Sequence, residues 1–270
     1  MLILVIISFL FLIGMIVGLL SKVSPLFADH SVWELLTGSE WKPSQGKFGF
    51  RPFILGSVAV TLLALLIATP VSLFTAIYLT EYSPKAVCKV VYPALDILAS
   101  IPSVIYGVWG VLFLIPLWGY SLITAAVVLC VMVLPIMVSL FVELFRVVPD
   151  DLRAASLSLG ATQWQTTRKV VLRKARPGIF ATVVLAISKA IGETIAVMMV
   201  CGSIPAVPRS LSDGFYTLPA LIGNNYGEMA SIPLYESAIM FAALILLVLV
   251  ILFNLISRVI LYRIEKLAAS

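Results

Sequence analysis

The chain has 270 residues, of which 61% are hydrophobic and 11% charged, with a net charge of +5 and a mean hydropathy of +1.13. Soluble domains carry about 25% charged residues, so this composition excludes a soluble enzyme and describes an integral membrane protein. Cys88, Cys130 and Cys201 are too far apart for a disulfide framework or a CxxC metal knuckle. His30 is the single histidine and no GxxxxGK[ST] occurs, which excludes HExxH zinc chemistry and P-loop ATP binding, and no cofactor is expected.

Residues 1–21 carry no charge and reach across about 30 Å of hydrocarbon at about 1.5 Å per residue. Without a basic n-region they read as a first span, about 2–20, rather than a cleaved signal peptide. The loop 21–53 sets Trp33, Trp41, Phe48 and Phe50 among charges, which suits an interfacial segment. A second span is expected over 54–80. Residues 97–142 are uncharged and too long for one crossing, so Pro116-Leu117-Trp118-Gly119-Tyr120 divides them into spans of about 91–115 and 121–143. Pro70, Pro102 and Pro135 bend helices two to four, and Gly107 and Gly110 allow close helix approach. Spans over 178–202 and 234–260 complete six. Twelve Lys and Arg then lie on one side, five lie on the other and Lys189 lies within the membrane, which puts both termini in the cytoplasm.

The cytoplasmic connection 147–177 is about thirty residues long where a short loop would do. Pro149 stops the incoming helix, and Asp150 and Asp151 favour the start of a short helix from Leu152 to Leu159. Gly160 supplies a break or a close approach, Thr162 caps a second helix from Gln163 to Arg173, and Pro177 ends it. The basic residues of this loop also suit contact with anionic headgroups.

Lys189 and Glu193 stand in an otherwise apolar segment, where each charge costs about 2.5–3.5 kcal/mol and must face protein or water. Their spacing of four puts both on one helix face, close enough to pair. Either they line a translocation path, Lys189 offering a cation to an oxyanion and Glu193 keeping the site from binding too tightly, or they form a structural ion pair.

Ala154-Ala155-Ser156-Leu157-Ser158-Leu159-Gly160, followed by Val170-Val171-Leu172, resembles the EAA loop by which ATP-binding-cassette importer permeases contact their ATPase. Ala154 stands where that family usually has Glu, and Arg173 where it usually has Pro. Trp41-Lys42-Pro43 with Phe48-Gly49 and Gly56-Ser57, then Leu98 to Gly110, then Gly192-Glu193-Thr194-Ile195-Ala196-Val197 are similar to the PstC family, permease subunits of phosphate-specific importers, across about residues 40–205. That family usually has Arg where Lys189 stands. The resemblance implies an all-α integral membrane protein with the type I ABC importer permease fold and a single transmembrane domain in the inner membrane. It further implies a non-enzymatic transport subunit that assembles with a PstA-like second permease, a PstB-like ATPase dimer and a PstS-like phosphate-binding protein. Its implied coupling residues are Asp151, Arg153, Ala154, Ala155, Ser156, Gly160, Ala161 and Thr162, and its pathway residues Lys189, Glu193 and Thr194. An importer of sulfate or molybdate, and an ATP-independent secondary transporter or channel, remain as alternatives.

Overall fold

The computed structural model describes residues 2–229 and 233–269. Helix α1 (Leu2–Asp29) leads into α2 (Val32–Thr37) and a small antiparallel hairpin of β1 (Trp41–Lys42) and β2 (Lys47–Phe48). The hairpin turns through Pro43–Gln45 and Gly46, whose φ of 70° suits glycine. Helix α3 (Arg51–Ile77) runs through Pro70 and ends in a π-helical turn, Tyr78–Tyr82. There follow α4 (Lys85–Ser100), α5 (Ser103–Trp109), a π-helical turn at Gly110–Leu114, α6 (Ile115–Trp118) and α7 (Leu122–Arg146). The chain continues with α8 (Asp150–Ser158), α9 (Gln163–Thr166), a π-helical turn at Thr167–Val171, α10 (Leu172–Ile191), α11 (Ile195–Met198), α12 (Leu218–Met229) and α13 (Pro233–Ala269).

Three of these elements depart from the sequence reading. The stretch 91–115 is not one helix: α4 and the α5–α6 segment meet at 93°. Pro102 forces the turn, because a residue before proline is pushed out of the helical region, and Ile101 is extended at ψ 129°. Pro177 does not end a helix but sits inside α10, as membrane helices allow where neighbours take up the freed carbonyl. The segment 178–202 is interrupted after Ile191, and Arg173, Lys174, Arg176 and Lys189 make α10 less apolar than the other long helices. Among the described residues four helices are long and apolar enough to cross a membrane, and the bent pair offers a fifth crossing.

Helix α7 is the centre, with 67% of its most apolar stretch buried in the chain against 12% for α1 and 22% for α13. It packs along α3, and α10 lies against both, while α1 packs on α13 at the periphery. Lipid tails are as apolar as leucine, so close packing rather than exclusion from water selects the centre. Accordingly α3 buries Ala64 and Ala68 and α7 buries Ala125 and Ala126.

The loop between α1 and α3 folds into a cap of packed aromatics. Trp41 stands edge-on to Phe53 at 5.0 Å, Phe50 at 5.3 Å and Tyr235 at 6.2 Å, and Phe48 and Phe50 are buried. Such pairs contribute about 0.5–1.5 kcal/mol each beyond burial, which fastens the hairpin to α3 and α13. Trp33 alone of the four aromatics stays outward, 74% exposed. Lys22, toward the C-terminal end of α1, pairs with Glu236 in the first turn of α13 at 2.9 Å.

Gly56 and Ser57 mark where the chain leading into α12 crosses α3. A Cβ on Gly56 would lie 2.5 Å from the Tyr216 carbonyl oxygen. The Ser57 hydroxyl accepts from the Leu218 N–H at 2.9 Å and donates to Phe53 O at 2.8 Å. Gly56→Ala therefore forces backbone apart and is expected to destabilise by about 1–3 kcal/mol, read as a fall in the melting midpoint of the purified protein. An unchanged midpoint would show that this crossing is loose.

Between α11 and α12 the loop folds back on α7. Asp213 O and Leu211 O accept from Leu122 N–H at 3.0 Å and Ile123 N–H at 2.9 Å, filling donors that the start of α7 leaves open. The loop is held by the Asp213 carboxylate, which accepts from the Ser210 hydroxyl and from the Arg209 and Ser210 amides. The Ser210 hydroxyl first, then the two amides, hold the Asp213 carboxyl below its usual value. Because its folded value is depressed, its contribution is present above the ordinary carboxylate range and is lost only as pH falls through the lowered value. Protection of the Arg209 and Ser210 amides, measured as exchange relative to the intrinsic rate at each pH, is expected to hold down to that range and to fall below it, and to be low throughout in Asp213→Ala, which has no acceptor.

Candidate functional site

The first candidate site is the connection 147–177 between α7 and α10. Helix α8 starts at Pro149 with Asp150 and Asp151 in its first turn, where carboxylates complement the helix dipole. It ends at Gly160, whose φ is 82°. Gly160 N–H donates to Leu157 O and Ala161 N–H to Ser156 O, the pair of bonds of a Schellman motif. A Cβ on Gly160 would meet nothing within 4 Å, so the glycine serves the turn and no close approach. Thr162 then caps α9 with a capping box: its hydroxyl accepts from Gln165 N–H at 3.3 Å, and its own N–H donates to Gln165 Oε1 at 3.0 Å.

No residue of α8 is buried. Only Arg153 and Ser156, three apart and so on one face, are partly covered. The Ser156 hydroxyl meets that of Thr166 at 2.9 Å, and Arg153 pairs with Glu81 at 3.0 Å. Asp151, Ala154, Ala155 and Thr162 are exposed, Ala161 is half-buried, and Leu157, Leu159 and Trp164 present an apolar surface, Leu159 being 88% exposed. Ala154 thus lies on the open face, so no contact within the chain lacks a carboxylate there. Arg173, in the first turn of α10, is exposed as well. Beside α8 is a cavity of about 620 Å³ lined by Thr80, Glu81, Arg146, Arg153, Leu157 and Gln163.

The second candidate site is the break Gly192-Glu193-Thr194. The reading of Lys189 and Glu193 as a pair on one helix face does not hold, because α10 stops at Ile191. Glu193 instead turns forward, its Oε1 accepting from Ala196 N–H at 3.3 Å at the start of α11. The Thr194 hydroxyl donates to Gly192 O at 3.3 Å. Lys189 is exposed and has no ion-pair partner among the described residues. The break is flanked on two sides: a Cβ on Gly223 of α12 would be 3.2 Å from Thr194 Cγ2, and one on Gly107 of α5 would be 3.2 Å from Ala196 Cα. Small residues thus bring α5 and α12 against α11, in keeping with the close approach read from the glycines.

Sequence reasoning passed over Glu81, which lies 72 positions from Arg153. Its signal was a carboxylate at the C-terminal end of a span, on the side of the chain otherwise rich in Lys and Arg.

Comparison with known proteins agrees with this architecture. Residues 68–268 match the family model for the binding-protein-dependent transport system inner membrane component. The chain is 38% identical to the probable ABC transporter permease protein YqgH of Bacillus subtilis, over 89% of this chain and 79% of that protein. It is 34% identical to the phosphate transport system permease protein PstC of Mesorhizobium japonicum, over 86% of this chain and 79% of that protein. Its fold matches a chain of the inward-facing MetNI methionine ABC transporter with a TM-score of 0.65 at 22% identity, over 77% of this chain and 93% of that one. Long apolar helices around a central α7, a short exposed helix after it and a broken helix bearing charge are therefore the parts of a multi-pass permease subunit, and the chain belongs to the family of inner-membrane components of binding-protein-dependent transport systems, with the type I ABC importer permease fold.

Proposed function

We propose that this chain is one half of a heterodimeric pore that imports inorganic phosphate by alternating access, driven by ATP hydrolysis on a separate ATPase pair. The phosphate cargo follows from relatives named as phosphate transport permeases, at 30–34% identity over most of the chain. The observation that carries the pathway is Lys189, exposed near the end of α10 and without an ion-pair partner among the described residues. Facing lipid there would cost about 2.5–3.5 kcal/mol, so it faces a wet path shared with a PstA-like subunit, where it attracts an oxyanion while Glu193 prevents tight capture. Thr194, at the same break, supplies a hydroxyl to that path.

The connection 147–177 is the ATPase contact in this reading. A nine-residue helix with no buried residue is too short to be stable by itself, and the apolar surface of Leu157, Leu159 and Trp164 fits a groove on a PstB-like dimer. Asp151, Ala154, Ala155 and Gly160 lie at that surface, with Ala161 and Thr162 shaping the turn behind it. The chain itself hydrolyses nothing; a PstS-like protein delivers phosphate from outside, and both termini are cytoplasmic. The six crossings are α1, α3, the bent α4–α6 segment, α7, α10 with α11, and α13.

The test is ATP hydrolysis by the complex that copurifies with the tagged chain, with its binding protein added, comparing phosphate with sulfate and molybdate. Stimulation by phosphate alone is expected. Stimulation by another anion would replace the cargo, and absence of any ATPase would favour a secondary transporter.

A further inference from the structure

Arg153 is the most heavily bonded side chain at the cytoplasmic end. Its Nη2 donates to Glu81 Oε1 at 3.0 Å and to Phe145 O at 2.8 Å, its Nη1 to Val148 O at 2.5 Å and Asp150 Oδ1 at 3.0 Å, and its Nε to both Glu81 oxygens at 3.3 and 3.4 Å. Every N–H of the guanidinium is engaged, which a lysine ammonium with three donors could not reproduce. The Arg153 and Glu81 side chains are only 18% and 7% exposed. Gln163 of α9 donates its side-chain amide to the Glu81 carbonyl, so both helices of the connection hold the same residue.

Glu81 belongs to the π-helical turn that closes α3, and Phe145 and Val148 are at the end of α7. Arg153 therefore fastens α8 to the two helices that form the centre of the membrane domain. No apolar side chain of α8 is buried, and the 620 Å³ cavity beside Arg153 leaves that flank unpacked. Besides its chain joins to α7 and α9, its packing on α9 and the π-helical turn that follows, and the Ser156–Thr166 hydroxyl contact, this guanidinium is, among the described residues, the direct side-chain tie from α8 to the ends of α3 and α7.

We propose that the Arg153–Glu81 pair is the rigid strut that carries movement of α8 into α3 and α7, making Arg153 and Glu81 positioning residues for transport and not parts of the phosphate path. The inference rests on α8 being the ATPase contact. A strut must stay closed through the cycle, whereas a latch would open once per turnover.

The experiment uses the full transporter in proteoliposomes and reads phosphate moved per ATP hydrolysed. The unsubstituted complex is measured first; if it shows no phosphate-stimulated hydrolysis, the importer reading fails and the strut with it. With that control coupled, Arg153→Lys, which keeps the positive charge beside Glu81 but loses the fork, is expected to lower the ratio on the order of ten-fold with the ATPase still bound. Rescue separates transmission from mere folding. Glu81→Cys with Arg153→Cys, in a chain whose Cys88, Cys130 and Cys201 are replaced by Ala, is expected to be uncoupled until a short bis-maleimide bridges the pair, and coupled afterwards. If bridging leaves the ratio low, or if Arg153→Lys keeps the full ratio, the strut is overturned while the importer reading stands.

Discussion

Lys189→Ala is expected to lower phosphate uptake by about ten- to a hundred-fold, the worth of one or two charge-assisted contacts, while the chain still assembles with its ATPase. The geometry separates this from a structural effect. Lys189 makes no ion pair among the described residues, so its removal orphans no carboxylate among them. Glu193→Gln is the sharper companion. The amide oxygen of Gln can still accept from Ala196 N–H, so the start of α11 is preserved and only the charge is lost. If Glu193 tempers the site, uptake by Glu193→Gln slows through tighter phosphate retention, seen as a lower apparent KM together with a lower maximal rate. Lys189→Arg is expected to keep most activity, because it retains the cation and adds a fork. Full uptake by Lys189→Ala would take the cation out of the path altogether.

The second large effect is expected at Gly160. A β-branched residue at φ 82° is strained by about 1–3 kcal/mol, and the open space around the position gives no other reason for harm. Gly160→Val should therefore disturb the turn between α8 and α9 and lose most copurifying ATPase, and deletion of 154–160 should lose all of it. Gly160→Asn, which tolerates the left-handed region, should retain most. Gly160→Asp falls between, since Asp also visits that region but adds a charge beside Leu159. The graded series is read by the ATPase-to-permease ratio on a tagged column. Equal losses for Val and Asn would mean that the missing side chain, not the backbone angle, is what Gly160 supplies.

Local signals were legible and distant ones were not. Thr162 announces the start of a second helix and Gly160 announces the turn, because both obey rules that act within one helical turn. Pro177 misled for the same reason: the rule for soluble helices was applied where membrane neighbours relax it. At Lys189 and Glu193 the periodicity argument counted four residues along a helix that Gly192 and the following turn do not continue. The outer aromatics could not be told apart by composition, since a belt at the headgroups and a packed cap use the same residue types. Trp41 and Trp33 differ only in what folds over them. Pairing of Glu81 with Arg153 depends on how α3, α7 and α8 come together, which no window of sequence contains.

The sparse attachment of α8 bears on how the protein is handled in the cell. Without a partner the chain displays Leu157, Leu159 and Trp164 around a short helix whose described side-chain ties are one guanidinium and one hydroxyl. An apolar, easily detached segment of this kind is what chaperones and proteases act upon. If α8 is the ATPase contact proposed above, a permease made without its partner is expected to be degraded faster than one whose α8 is occupied, so that the supply of the two polypeptides is matched after synthesis.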